Sequence, residues 1–265
     1  MSTRCSVSDE AYLLSGQTLP MLNKVILILR SSLFYSGYAF ATVLTSLLLL
    51  ALCWLVPLRK RFVIYATWCS FVLFWLRVTC GIRYQVSGLE NIPKVPVVVL
   101  SNHQSTWETI FLYKTFSPVC PILKKELLKI PFWGWAMALQ KPIAIDRSRP
   151  REAGKYLLTQ GKLRLQEGLS VVIFPEGTRT TIGAIKKFSR GGAQLAVASN
   201  APIIPVVHNA GQCWPPGTFI KFPGTISVLI GEPIHAQGRG SGEVTGEFEV
   251  WVRSHKADAL AKRAI

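Results

Sequence analysis

The chain has 265 residues, enough for one sizeable hydrophobic core with a small appendage. Hydrophobic residues make up 49% of it, which excludes a disordered chain and points to folded structure with a membrane connection. A formal charge of +16 calls for anionic company, but RRM- and KH-type motifs are missing and most aromatics lie in apolar runs. Anionic lipid and phosphorylated or acidic substrates are therefore favoured over nucleic acid.

In chain order, residues 1–20 are polar and aperiodic, and the expectation is a disordered extension or a true start at Met21. Residues 31–58 carry no charge, and roughly 20 such residues span a bilayer core. This stretch either crosses or kinks at Gly37 and lies re-entrant. It is too long for a signal peptide and has no small-residue cleavage site. Arg59, Lys60 and Arg61 come next, then a shorter apolar stretch, 62–76, rich in Trp and Phe suited to the interface. The reading is a membrane-associated two-helix segment over 21–82, with the basic cluster favouring the cytoplasmic side for the chain after residue 80.

From about residue 83 short apolar runs alternate with helical segments. VPVVVL (95–100), LSVVIF (169–174), PIIPVV (202–207) and TISVLI (225–230) read as strands buried on both faces. Helices are expected over 108–116, 151–167, 191–199 and 243–262, the last with Trp251 on an apolar face. The alternation predicts an α/β layered domain over 83–265, with a largely parallel sheet flanked by helices. In such sheets ligands gather beyond the carboxyl ends of the strands. NHQSTWE follows the first run and PEGTR (175–179) follows the second.

His103 and Glu108 are five positions apart. Along one regular helix that is about 500°, which leaves the side chains roughly 140° apart. With His103 in the turn before the helix and Ser105 as N-cap, the imidazole can fold back toward Glu108. The same spacing is also a capping box, Ser105-x-x-Glu108, in which the carboxylate only returns to the cap amide. A histidine–carboxylate pair would fix the tautomer and stabilise the imidazolium. Because the G-x-S-x-G elbow and the Walker A loop are both absent, attack by a substrate hydroxyl with His103 as base is the simpler chemistry. FPEGTR offers Gly177 for close backbone approach to an anion and Arg179 for a guanidinium fork. Lys124, Lys125, Lys129 and Arg147 add cations from neighbouring segments.

Cys5, Cys53, Cys69, Cys80, Cys120 and Cys213 form no C-x-x-C pair and lack a histidine at ligand spacing, so they read as free thiols without structural zinc. His208 follows a buried strand, and His235 and His255 lie in polar surroundings without a matching acid, so all three read as structural.

NHQSTWE, KKELLKIPFWG with the following IDR, FPEGTR and APIIPV resemble, in order and approximate spacing, the four blocks of the glycerolipid (lysophosphatidate) acyltransferase family. The resemblance covers about residues 83–210. It implies transfer of a fatty acyl group from acyl carrier protein or coenzyme A to the free hydroxyl of lysophosphatidate, with no cofactor and no metal. It makes His103 the general base of an HX4D-type motif, with Glu108 in place of the family's usual aspartate. It assigns Lys124, Arg147, Glu176, Gly177, Thr178 and Arg179 to the substrate phosphate and Pro205 to shaping the acyl channel. Implied partners are lysophosphatidate, the thioester donor and anionic membrane lipid, at a bacterial inner membrane with the catalytic domain on its cytoplasmic side. Two alternatives stay open: another acceptor, such as a lyso-ornithine lipid or a headgroup-bearing lysophospholipid, and a non-catalytic anionic-lipid-binding membrane protein.

Overall fold

The computed structural model describes residues 21–146, 148–181 and 186–261, with side chains up to His255. The expectations for residues 1–20 and for Arg147 lie outside the described residues.

Two long helices open the chain, α1 (Met21–Leu52) and α2 (Leu58–Cys80), and both are long and apolar enough to cross a membrane. α1 runs unbroken through Gly37, so the re-entrant kink is not formed. That glycine serves packing instead, because a Cβ there would collide with the Trp75 indole on α2. α2 extends well beyond the 62–76 stretch, taking Arg59, Lys60 and Arg61 into its first turn. It stops at Gly81, which holds a left-handed φ of 70° while its N–H bonds Arg77 O.

The remaining elements are β1 (Ile82–Ser87), β2 (Val98–Ser101), α3 (Trp107–Thr115), β3 (Val119–Cys120), β4 (Ile122–Lys124), α4 (Trp133–Ala138), β5 (Ile143–Ile145), α5 (Pro150–Gln166), β6 (Ser170–Ile173), α6 (Gly191–Ser199), β7 (Ile203–His208), β8 (Gly224–Ile230) and α7 (Ser241–Ala261). Six strands form one sheet in the order β1-β8-β7-β2-β6-β3, and β4 pairs with β5 separately. The sheet is mixed but mostly parallel, with only β7 and β8 antiparallel. Between those two the chain makes a single 3₁₀ turn and no crossover helix, so the strand must return antiparallel.

Alternating side chains of β2 divide the core. Val99, with Val97 just before the strand, joins Trp107, Phe111, Val172 and Ile204 beneath α2 and α3, while Val98 and Leu100 join Val171, Leu195, Ile203 and Phe248 beneath α5, α6 and α7. α2 contributes Trp68, Val72, Leu73 and Leu76 to the first of these clusters. The boundary expected between residues 82 and 83 therefore divides segments that share one hydrophobic core. α1 packs on α2 and presents Leu22, Leu29, Phe40 and Leu47 outward.

The connection from β7 to β8 is tied back to α1. The Lys221 N–H donates to Ser31 Oγ at 2.9 Å, and its fully buried side chain donates to Thr218 O and Phe219 O. The ammonium also lies 4.9 Å from the ring centroids of Tyr35 and Trp214, a cation–π cage for a charge that burial would otherwise penalise.

Candidate active site

β2 and β6 are parallel neighbours, Leu100 opposite Ile173, so the loops that leave them emerge side by side at one edge of the sheet. NHQSTWE lies on the first loop and PEGTR on the second. The two are bonded together: the Thr180 N–H donates to His103 O at 2.8 Å, and Arg179 Nε to Ser105 O at 3.1 Å. Residues 103 and 179 thus belong to one cluster, although the chain between them runs through three helices and four strands.

His103 sits in the turn before α3, and its Nδ1 lies 2.8 Å from Glu108 Oε1. The same carboxylate oxygen accepts the backbone N–H groups of Gln104 at 2.9 Å and Ser105 at 2.7 Å. Ser105 Oγ in turn accepts the Trp107 N–H at 3.1 Å. The carboxylate's return to the Ser105 amide and the histidine pair are therefore both present, made by one oxygen, although the helix is capped at Thr106, one residue later than Ser105. A carboxylate can only accept, so Nδ1 carries the proton and Nε2 keeps its lone pair. Glu108 is fully buried whereas His103 is 14% exposed, which leaves the imidazole as the member of the pair that a substrate can reach. Burial pushes the Glu108 carboxyl up. The neighbouring imidazole of His208, the hydrogen bond from His103 and the Ser105 N–H pull it down further, so it stays below the usual carboxylate range and ionised.

Phe174, the last residue before PEGTR, stacks under the imidazole with ring centroids 4.0 Å apart and planes 14° from parallel. Sequence reasoning passed over this aromatic, and it passed over Thr180 too. Phe174 directly precedes the anion loop, and only the pairing of β2 with β6 reveals what it faces. Gly177 closes the turn with its N–H on Phe174 O at 3.0 Å and a φ of +71°, which favours glycine; a Cβ there would meet nothing within 4 Å, so the backbone is open to an approaching group. Glu176 is buried and accepts Thr180 Oγ1 at 2.7 Å, so it shapes the turn, while Thr178 and Arg179 are exposed. Arg179 spends Nε on Ser105 O, and its two Nη groups make no hydrogen bond among the described residues.

Lys124 ends β4 and is exposed, without a side-chain hydrogen bond or ion pair among the described residues. Pro205 is buried in β7 opposite Leu100. Its ring lies against Gly231, beside Trp251, on the face covered by α7 and away from α3. That surrounding is one of tight packing.

A reachable imidazole backed by a buried carboxylate, next to an open turn and a guanidinium, suits transfer of an acyl group to the hydroxyl of an anionic acceptor. The chain belongs to the acyltransferase family, whose family model, described as Acyltransferase, matches residues 83–209. It is similar to the 1-acyl-sn-glycerol-3-phosphate acyltransferase of Pseudomonas aeruginosa, 47% identical over 234 residues, covering 87% of this chain and 91% of that protein. The enzyme of the same description from Saccharomyces cerevisiae is 31% identical over 252 residues, covering 92% of this chain and 78% of that one. Among solved structures, the crystal structure of the 1-acyl-sn-glycerophosphate (LPA) acyltransferase PlsC from Thermotoga maritima superposes with a TM-score of 0.79. It is 24% identical and covers 91% of this chain and 99% of that one, a likeness that speaks for the fold.

Proposed function

We propose that this acyltransferase moves a fatty acyl group from a thioester of acyl carrier protein or coenzyme A to the sn-2 hydroxyl of lysophosphatidate, giving phosphatidate. The observation that carries the reading is the union of the His103–Glu108 pair with the Arg179 turn in one hydrogen-bonded cluster. The names of the P. aeruginosa and S. cerevisiae relatives support the same acceptor.

In this reading the acceptor phosphate rests on the Nη groups of Arg179 and the open backbone at Gly177, which presents the hydroxyl to His103 Nε2. Orientation of this kind can contribute ~7 kcal/mol or more to the rate. As Nε2 takes the hydroxyl proton, the oxygen attacks the thioester carbonyl and a tetrahedral oxyanion forms. Glu108 keeps its hydrogen bond to Nδ1 and stabilises the imidazolium. Collapse of the intermediate breaks the carbon–sulfur bond, and the departing thiolate takes the proton back from Nε2. Lys124 and Arg147 remain proposed as further phosphate or donor contacts, and anionic lipid as a surface partner of a chain with formal charge +16. α1 and α2 hold the site beside its lipid substrate, with the catalytic domain on the cytoplasmic side of a bacterial inner membrane, a side supported by Arg59, Lys60 and Arg61.

The test is a rate assay of the purified protein with each thioester donor against a panel of acceptors: lysophosphatidate, lyso-ornithine lipid and lysophosphatidylcholine. Preference for lysophosphatidate, lost in His103→Ala without loss of fold, is expected. Preference for another acceptor, or full activity of His103→Ala, overturns the reading.

A further inference from the structure

We propose that His208, at the end of β7, is a positioning residue for acyl transfer that fixes, through Asn102, the backbone on which the His103 imidazole stands. The inference rests on the reading of His103 as the base.

The ladder between β2 and β7 ends with Ser101 opposite Val206. Beyond it the two strand ends are joined by side chains instead. Asn102 Nδ2 donates to His208 O at 3.0 Å, and the His208 N–H donates back to Asn102 Oδ1 at 3.0 Å. The imidazole adds a third bond, with Nε2 lying 2.9 Å from Asn102 O, and its Nδ1 accepts the Ala210 N–H at 3.2 Å. A carbonyl accepts and a backbone N–H donates, so these two partners fix the ring's orientation, with Nε2 toward Asn102 O and Nδ1 toward the Ala210 N–H. Asn102 is fully buried and His208 is 2% exposed, so each of these bonds is made away from water.

The oxygen that Nε2 holds belongs to the peptide joining Asn102 to His103. Fixing that plane restricts rotation on the N-terminal side of the base. On the other side Thr180 holds His103 O through its N–H at 2.8 Å. The two carbonyls flanking His103 are thus pinned from opposite strands, one from β7 and one from the loop after β6, and Phe174 covers the ring face. With its backbone fixed this way, the imidazole starts from one position, from which Nδ1 meets Glu108 Oε1 at 2.8 Å. An apolar residue at 208 could fill the same volume but could not grip the Asn102 carbonyl.

The experiment compares kcat and KM for lysophosphatidate in the full-length wild type, His208→Phe, His208→Gln and His103→Ala, with folding followed by circular dichroism. His208→Phe should lower kcat about 10- to 100-fold with KM for lysophosphatidate nearly unchanged, as a misplaced base does. His208→Gln, whose amide can still donate to Asn102 O, should recover part of the loss. A folded Phe variant with wild-type kcat overturns the proposal, and so does a Gln variant no better than Phe, since that marks packing alone. Should the Phe variant not fold, Asn102→Ser decides: the same loss confined to kcat supports the proposal, and full activity ends it. Activity in His103→Ala would instead remove the catalytic reading itself.

Discussion

One oxygen of Glu108 gathers three donors, from His103, Gln104 and Ser105, and that convergence shows how a longer carboxylate serves where the resembling family uses aspartate. Glu108→Asp shortens the reach by one methylene and cannot keep both the backbone pair and the ring. Its kcat should fall about 10- to 100-fold while the fold survives. The charge matters for stability too. Because the folded carboxyl sits below its ordinary value of 4.5, its contribution is complete above that pH and is lost as pH falls through the lower folded value. Acid unfolding of Glu108→Gln, followed by tryptophan fluorescence, should therefore depend less on pH below about 4.5 than that of the wild type; an identical acid limb would show that Glu108 carries no such linkage. The pair itself was legible from the spacing of His103 and Glu108, since a turn before a helix can fold an imidazole back. The companion roles of Phe174, Thr180 and His208 were not, because each depends on which strand lies beside β2.

α2 is at once an apolar helix and a wall of the catalytic core. Leu76 is 1% exposed and packs within the cluster that also holds Val99, Trp107 and Ile204. Removing such a side chain costs about 2–5 kcal/mol. Leu76→Ala should therefore lower the unfolding temperature of the whole catalytic unit in detergent, whereas a detachable anchor would leave that unit's transition where it was. A helix with one face in the core cannot meet lipid on every side, which leaves α1, with Leu29, Phe40 and Leu47 outward, as the main lipid-facing element. The runs of β2, β6 and β7 were legible because strands covered on both faces demand continuous Val and Ile, whereas β8, expected to be the same, buries only Ile226, Val228 and Ile230 on one face. β1 was overlooked: IRYQVS alternates apolar and polar residues as a half-exposed edge strand does, and its burial has the same alternation. The antiparallel turn of β8 was hidden as well, since an apolar run has no direction.

At the scale of the whole molecule, the formal charge of +16 and the outward apolar face of α1 act together. Binding to vesicles containing phosphatidylglycerol should weaken as salt rises past about 0.1 M, where the screening length is ~10 Å, but should not vanish, because apolar burial does not screen. Salt-independent binding would assign it to α1 alone. The central claim is that a guanidinium and an imidazole 76 positions apart in the chain serve one substrate, and acceptor discrimination tests it most directly. Measured as kcat/KM for lysophosphatidate against 1-monoacylglycerol, which keeps the hydroxyl but lacks the phosphate, the wild type should favour lysophosphatidate strongly. Arg179→Met should lose most of that preference while its rate with monoacylglycerol is unchanged. An Arg179→Met enzyme that still favours lysophosphatidate as the wild type does would contradict the shared site.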